Sequence, residues 1–177
     1  MHRVIAERLR HRNASDVLDI ACGPGDFLDY LSSTAPHVRL AGSDIAPGMV
    51  AYARERLGER ARIVEARGDR QPFEDSSFDT ITIMMAFHHF EAKKDALTSI
   101  HKLLKPAGVL IVADVVARSN FEKKFWNRLE KLTGIRGHVD HYTAADMSEL
   151  ARQAEFSCSS DTIQGMASRY QIFTLAR

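Results

Sequence analysis

The sequence is poor in cysteine and has no long apolar run. Its only two cysteines, Cys22 and Cys158, lie far apart and offer neither a disulfide framework nor the spacing of a metal site. No stretch approaches the length of a membrane span, and the opening MHRVIAERLRHR lacks the apolar centre of a secretion signal. These absences predict a cytoplasmic protein with no bound metal and no membrane-spanning segment.

An excess of charge of one sign is also lacking. The 177 residues include 24 lysines and arginines and 23 aspartates and glutamates, which leaves a formal net charge of +1. Nucleic-acid-binding domains usually show a marked basic excess, and no basic run stands out here. We therefore expect no nucleic-acid partner and favour a small-molecule ligand. The sequence leaves the oligomeric state open.

Strand and helix patterns alternate along almost the whole chain. Short apolar runs such as DVLDIA, VRLAGSDI and GVLIVADVV are typical of buried parallel strands, and helical spacing fills the segments between them. Two closing strand patterns with no convincing helix between them should pair antiparallel. The alternation predicts an α/β fold with a doubly wound, mostly parallel sheet and helices on both faces. The length fits a single domain, 1–177.

Residues 118–142 interrupt this alternation. Phe121, Phe125, Leu129 and Leu132 recur at helical spacing, with most of the basic residues elsewhere on the helix. The segment fits an extra helix packed on the body of the domain. It fits equally a lid or acceptor-binding insertion, because loops after the carboxyl ends of strands bind ligands in such sheets.

The stretch VLDIACGPGDFL forms a glycine turn between the first strand and the first helix of the sheet. Gly23 and Gly25 fit a dinucleotide fingerprint, but its third glycine is replaced by Leu28, which counts against NAD or FAD. Asp44 ends the next strand, where a carboxylate accepts hydrogen bonds from ribose hydroxyls; the alternative is a helix cap. Asp19 would be costly to bury without a partner. A nucleoside without phosphates, such as S-adenosylmethionine (SAM), fits this pattern.

Four segments resemble those of class I SAM-dependent methyltransferases in order and spacing: VLDIACGPGDFL, AGSDIAPGMV, PFEDSSFDTITIMMAFHHF and LLKPAGVLIVADV. The resemblance is closest to the branch with quinone-ring and related small-molecule methyltransferases, and it covers residues 15–116. It implies a seven-stranded sheet with the last strand inserted antiparallel. It also implies transfer of a methyl group from SAM to a small molecule by in-line displacement.

The resemblance implies roles for individual residues. Asp44 would hold the ribose hydroxyls and Ile45 would pack on the adenine. Ala21 stands where the family often has glycine, and Cys22 is interpreted as a small packing residue and not a nucleophile. The cofactor-binding residues implied in this way are Asp19, Ala21, Cys22, Gly23, Gly25, Asp44, Ile45, Met49, Asp69, Arg70 and Met85.

The residue that meets the adenine amino group has two candidates. Family members usually have an acidic residue before the Pro-Phe pair, here Pro72 and Phe73. Counting back without a gap gives Arg67, and allowing a two-residue deletion gives Asp69. We favour Asp69, because an arginine cannot accept that hydrogen bond.

His88 and His89 are the candidate catalytic residues. They follow the fourth strand, where the acceptor should approach, and histidine can take a proton near neutral pH. A local packing role is the alternative for at least one of them. The aromatic side chains around Trp126 favour an apolar or aromatic acceptor, methylated at oxygen, carbon or nitrogen.

Two other functions remain open at this stage. A SAM-binding subunit or regulator without catalysis would have the same glycine turn and Asp44. A dinucleotide-dependent oxidoreductase would need the third glycine that Leu28 replaces. A further polar cluster, His138, Asp140 and His141, lacks a third metal ligand at a diagnostic spacing, and we expect no metal there.

Overall fold

A computed structural model describes residues 1–133, 139–162 and 170–177. Seven strands form one sheet in the order β3-β2-β1-β4-β5-β7-β6. Strands β1 to β5 pair in parallel, and β7 is antiparallel to both of its neighbours, as predicted. The strands are β1 (Asp16–Ile20), β2 (Arg39–Asp44), β3 (Ala61–Glu65), β4 (Phe78–Met84), β5 (Leu104–Val115), β6 (Ser157–Thr162) and β7 (Tyr170–Ala176).

Six α-helices belong to the described residues, and they lie on both faces of the sheet. Those on one face bury an apolar cluster around Ile5, Phe27 and Leu57, and those on the other pack around Leu97 and Met147. The helices are α1 (His2–His11), α2 (Asp26–Thr34), α3 (Pro47–Leu57), α4 (Lys93–Leu103), α5 (Asn120–Thr133) and α6 (Ala144–Gln153). The predicted fold class is confirmed.

Alternation along the central strands explains the two cores. In β1, Val17 joins the cluster that includes Phe27, whereas Leu18 and Ile20 join the cluster that includes Leu97. Successive side chains of a strand point to opposite faces, so a strand covered on both sides must be apolar throughout. The exceptions in β1 are Asp16 at its start and Asp19 in its middle, both of which are buried.

Local signals fix several helix ends. Thr143 caps α6 by accepting from the Asp146 N–H, and the Asp146 carboxylate accepts from the Thr143 N–H, so that the two residues form a capping box. Helix α3 begins at Pro47, where the missing N–H costs no hydrogen bond. Within the described residues, the structure shows no helix long and apolar enough to cross a bilayer.

Helix α5 lies within the segment that interrupted the alternation. It contacts the body through polar side chains: Lys123 binds Asp146, and Asn127 binds Asp140. Phe121, Phe125 and Leu132 are exposed, Phe121 at 81%, whereas Trp126 is half-buried and its ring lies 6.3 Å from that of His141. An extra helix packed on the body would have placed its apolar stripe against the domain. The structure instead places the side with Lys123 and Asn127 there. The adjoining His138 lies outside the described residues.

Candidate active site

The glycine turn after β1 has a backbone that strongly favours small residues. Ala21, Gly23 and Gly25 all have positive φ, at 58°, 54° and 82°. Only glycine adopts this region without a steric cost. The strain at Ala21 explains why glycine would suit that position better. A Cβ on Gly23 would meet nothing within 4 Å, so this part of the turn faces open space.

Gly25 and Leu28 serve packing at the start of α2. A Cβ on Gly25 would lie 2.8 Å from Cδ1 of Leu57, so α3 packs directly on this glycine. Leu28 is fully buried, and a Cβ on Gly42 of β2 would lie 2.6 Å from its Cδ1. In a dinucleotide fingerprint, the third glycine lies on the helix and lets the helix pack closely on the strand. Here the glycine lies on the strand, at Gly42, and the helix contributes Leu28.

Asp44 joins the glycine turn to the start of α3. One carboxylate oxygen accepts from the Gly23 N–H at 2.8 Å and the other from the Ala46 N–H at 2.9 Å. The N-cap of α3 is Ala46, so Asp44 is not the cap itself. Each oxygen has a second lone-pair site for a further donor. A ribose with two adjacent hydroxyls supplies two such donors.

A cavity of about 400 Å³ opens at the carboxyl edge of the sheet. It lies between the ends of β1 and β2, the loop after β3 and the short 3₁₀ turn Phe87–His89. Its size is within the ordinary range for small-molecule sites. Five of the predicted residues line it: Ala21, Asp44, Ile45, Asp69 and His89.

Asp19 and Cys22 are buried behind this cavity and do not line it. The Thr82 hydroxyl donates to Asp19 at 2.6 Å. Burial raises the pKa of Asp19 to about 7. The hydrogen bond from Thr82 lowers this pKa, and the negative charge of Asp44 raises it by a smaller amount. Burial, together with the charges of both aspartates, raises the pKa of Cys22 to about 12. A thiol with that pKa is a packing group and a poor nucleophile.

Ile45 lines the cavity, whereas the predicted residues Met49 and Met85 do not line it. Ile45, Met49 and Met85 are large apolar side chains that remain 60%, 44% and 38% exposed. Met85 also has a positive φ of 53°, directly after β4. Such strained backbone is common at functional sites. Arg70 is exposed in the turn after β3 and does not line the cavity.

The two candidates for the adenine end bind each other. Nε of Arg67 donates to Oδ1 of Asp69 at 3.0 Å, and both residues line the cavity. Burial opposes ionisation of Asp69, but the hydrogen bond from Arg67 and further nearby donors hold its pKa below the ordinary value. Asp69 is therefore an ionised acceptor at neutral pH.

The two histidines occupy different positions. His89 lines the cavity, whereas His88 turns toward the end of β5, where its Nδ1 lies 2.7 Å from Oδ1 of Asp114. The two rings lie 4.1 Å apart. Asp114 is fully buried, and its carboxylate also accepts from the backbone N–H groups of His88 and Val115.

Tyr142 completes the surroundings of Asp114 by donating its hydroxyl at 3.1 Å. Burial raises the pKa of Tyr142 well above its usual value, and the charge of Asp114 and this hydrogen bond raise it further. The phenol therefore stays protonated and acts as a donor. Asp114 was not among the predicted site residues, although a carboxylate near the end of an apolar run, GVLIVADVV, was a signal for it.

The residues around the cavity fit SAM. Asp44 offers acceptors for ribose hydroxyls, exposed Ile45 offers an apolar surface for a purine, and the turn at Gly23 leaves room for close approach. The described residues hold no group of three or more histidines, cysteines and acidic residues suited to a metal. The geometry thus favours a nucleoside-binding site.

Residues 18–112, which are more than half of the chain, match the family model described as a methyltransferase domain. The chain belongs to the class I SAM-dependent methyltransferases. The methyltransferase uses S-adenosylmethionine as its methyl donor and belongs to the branch that contains quinone methyltransferases. The dinucleotide-dependent oxidoreductase is not supported.

The methyltransferase is 30% identical over 180 residues to the demethylmenaquinone methyltransferase of Deinococcus radiodurans, a match that covers 96% of this chain and 74% of that enzyme. It is 38% identical over 101 residues to the demethylmenaquinone methyltransferase of Thermus thermophilus, covering 55% of this chain and 46% of that enzyme. The YcgJ protein from Bacillus subtilis superposes with a TM-score of 0.79 at 25% identity, covering 90% and 69% of the two chains. The matched region is thus three quarters of one curated relative and under half of another.

Proposed function

We propose that the methyltransferase methylates a carbon atom of a small, apolar aromatic compound that carries a ring hydroxyl, with His88 as the proton acceptor. The observation that supports this most directly is the bond from His88 to the fully buried Asp114. A carboxylate that accepts from Nδ1–H fixes the imidazole tautomer with Nε2 unprotonated. This is the arrangement that a general base requires.

The position of the pair supports a role on the acceptor side. His88 and Asp114 lie at the ends of β4 and β5, whereas Asp44, Ile45 and Asp69 surround the cavity at the ends of β2 and β3. Donor and acceptor must approach from opposite sides of the transferred methyl group in an in-line displacement. We therefore assign His89 to the cofactor side and His88 to the acceptor side.

The names of the relatives support the chemical class of the acceptor. The relatives from Deinococcus radiodurans and Thermus thermophilus are both demethylmenaquinone methyltransferases, enzymes named for a quinone. A ring hydroxyl of a reduced quinone is weakly acidic, and loss of its proton makes the neighbouring ring carbon nucleophilic. Exposed Met85, three residues before His88, provides an apolar surface for such a ring.

The chain's own residues supply positioning and proton transfer. When bound, SAM supplies an electrophilic methyl group. Asp44 and the turn at Gly23 hold the nucleoside, and Nε2 of His88 takes the proton of the ring hydroxyl as the acceptor carbon bonds to the methyl group. S-adenosylmethionine held there would supply the methyl group and leave as a neutral thioether. The ring carbon would lose its own proton to water, and protonated His88 would return its proton to the ring oxygen, which restores the aromatic ring and the neutral imidazole. Positioning accounts for much of the acceleration.

We further propose that residues 1–177 act as one domain, with the 118–142 segment bordering the route of the acceptor. A cytoplasmic location is proposed as well. Its support is that Cys22 and Cys158 are both free thiols, as is usual in a reducing compartment.

The test is methyl transfer from SAM with an isotope-labelled methyl group to a short-chain naphthoquinol, with the product analysed by NMR. We expect a ring C-methyl signal, and we expect His88→Gln to lower kcat by about 100-fold or more. A product methylated only at oxygen would contradict the assignment of the reaction. Tight S-adenosylhomocysteine binding without turnover on any acceptor would favour the non-catalytic alternative.

A further inference from the structure

Helix α5 presents an apolar stripe to solvent. Phe121, Phe125 and Leu132 are 81%, 54% and 76% exposed. Because an α-helix turns about 100° per residue, positions four and seven residues apart fall on one side. Three large apolar side chains exposed along one side of a 14-residue helix are unusual for a surface that only meets water.

The opposite side of α5 is fixed to the body of the domain. Nζ of Lys123 donates to both carboxylate oxygens of Asp146, at 3.0 and 2.8 Å. The Asn127 amide donates to Asp140 and accepts from the His141 N–H at 2.8 Å. Turning the apolar stripe inward would break all of these bonds. The stripe therefore faces away from the domain.

Three cations flank the stripe on one side. Lys124, Arg128 and Lys131 are all exposed, and on the helical wheel they lie between the apolar stripe and the face that contacts the body. Aromatic and leucine side chains on one side with lysine and arginine beside them are typical of helices that lie in a membrane interface. An anionic surface would satisfy the stripe and the cations together.

We propose that α5 is a peripheral docking surface for an anionic lipid bilayer. The helix lies in the interface plane with Phe121, Phe125 and Leu132 among the acyl chains and the three cations at the headgroups. This mode of binding needs no membrane-spanning helix. Lipid is favoured over a second copy of the chain as the partner of this face. Contact with a second copy would cover the apolar side chains, but only an anionic surface would also pair with the row of cations.

Docking through α5 would also bring the methyl acceptor from the bilayer toward the active site. This consequence rests on the proposed function, whereas the docking itself does not. Helix α5 follows β5, and Asp114 near the end of β5 holds His88. A bilayer against α5 would lie on the acceptor side of the site. An apolar acceptor dissolved in the membrane would then be held close to the side of the domain that contains His88.

The experiment is co-sedimentation of the full chain with sucrose-loaded vesicles. One vesicle set is phosphatidylcholine alone, and the other is equal parts phosphatidylcholine and phosphatidylglycerol. We expect binding to the anionic set that weakens as salt is raised. The double variant Phe121→Ser with Phe125→Ser should bind at least about tenfold more weakly. Tyr52→Ser, which removes a 69% exposed aromatic from α3, is the matched control and should bind as the parent chain does.

A second set of variants separates charge from apolar contact. Replacing Lys124, Arg128 and Lys131 with glutamine should weaken binding to the anionic vesicles by about fivefold for each cation and should remove the preference over neutral vesicles. The control replaces three exposed cations elsewhere, Arg3, Arg10 and Lys102, with glutamine and should retain binding.

Three outcomes would overturn the proposal. They are absence of binding to either vesicle set, equal binding by the parent chain and the phenylalanine variant, and a change from dimer to monomer in that variant without lipid binding. The last would assign the face to a second copy. Vesicle binding requires neither SAM nor acceptor, so its failure would leave the proposed methyl transfer standing.

Discussion

Nδ1 of His88 lies 2.7 Å from Oδ1 of Asp114, a carboxylate with no exposed surface. Three other donors, from His88, Val115 and Tyr142, hold that carboxylate in place. Because every one of these contacts donates to Asp114, only an acceptor at this position satisfies them all. The imidazole is therefore oriented by a group that cannot easily rotate or change role.

Replacing Asp114 with asparagine should lower kcat by about 100-fold or more while leaving KM nearly unchanged. The amide can donate to Nδ1, which would place the proton of the neutral ring on Nε2 and remove the base. Steady-state kinetics across pH 6 to 9 are the measurement. Tyr142→Phe is the control, because it removes one donor and leaves the contact with His88; its loss should be much smaller. A variant with parental kcat would show that His88 is not the base.

Asp44→Ala should weaken binding of S-adenosylhomocysteine by about 1.5–3 kcal/mol, the range for hydrogen bonds to a charged group. Asp44 also accepts from Gly23 and Ala46, so the alanine variant loses support of the turn as well as the ribose contact. Asp44→Asn keeps one acceptor oxygen and should lose less. Calorimetric titration gives both values, and thermal unfolding checks that the variants remain folded. Unchanged affinity in the alanine variant would contradict the ribose assignment.

Asp69→Ala should weaken binding of the cofactor product more than Arg67→Ala does. The two side chains form an ion pair 3.0 Å long, so removal of Arg67 frees an acceptor whereas removal of Asp69 deletes it. An analogue of S-adenosylhomocysteine that lacks the adenine amino group makes the test specific. The parent chain should prefer the natural ligand, and Asp69→Ala should lose that preference. Loss of the preference in Arg67→Ala instead would support the ungapped alignment.

The order of elements was predictable because each signal for it is local. Apolar runs, the proline at the start of α3 and the capping box of α6 each act within a few residues. Helix α1 went unpredicted, since its apolar residues Ile5 and Leu9 are few and lie among basic ones. Its stability comes from packing of those two side chains in the core, which a short window of sequence does not reveal.

The cofactor side of the site was predictable because a local sequence motif carries each of its parts. The turn at Gly23 and the carboxylate of Asp44 belong to neighbouring strand ends whose pairing the fold class dictates. The bond from His88 to Asp114 joins the ends of β4 and β5, and its existence depends on how the two strands are aligned. Likewise, helical spacing revealed the apolar stripe of α5, but its orientation depends on contacts with Asp140 and Asp146 far along the chain.

Gly23→Ala and Gly25→Ala should separate binding from stability. Both glycines have positive φ, which costs an alanine about 1–2 kcal/mol. A Cβ on Gly25 would also press on Leu57 at 2.8 Å, and overpacking adds about 1–3 kcal/mol. We expect Gly25→Ala to lose more stability in urea unfolding, and Gly23→Ala to lose proportionally more cofactor affinity. Equal losses of stability would show that the contact with Leu57 relaxes freely.

Asp19 should make the free protein less stable as pH rises from 4 to 7. Its pKa is about 7 in the folded chain, against 3.8 as the ordinary value. Well below pH 3.8 the carboxyl is protonated in both states and causes no pH dependence of stability. Between these values only the folded state holds the proton, so the unfolding free energy falls with pH by a total of about 4 kcal/mol, at about 1.4 kcal/mol per pKa unit.

Asp19→Asn should remove this fall, so its stability relative to the parent chain rises between pH 4 and 8. Asp16→Asn is a control of opposite sign. Burial raises the pKa of Asp16, but hydrogen bonds from Arg39 and Lys105 lower it below the ordinary value. Its contribution to stability is present above the unfolded pKa and is lost as pH falls, so the asparagine variant should lose stability relative to the parent chain at neutral pH. Urea unfolding of both variants across this range is the measurement. A parallel pH dependence in the parent chain and Asp19→Asn would mean that Asp19 is ionised in the fold, with a cationic partner or bound water that compensates its burial.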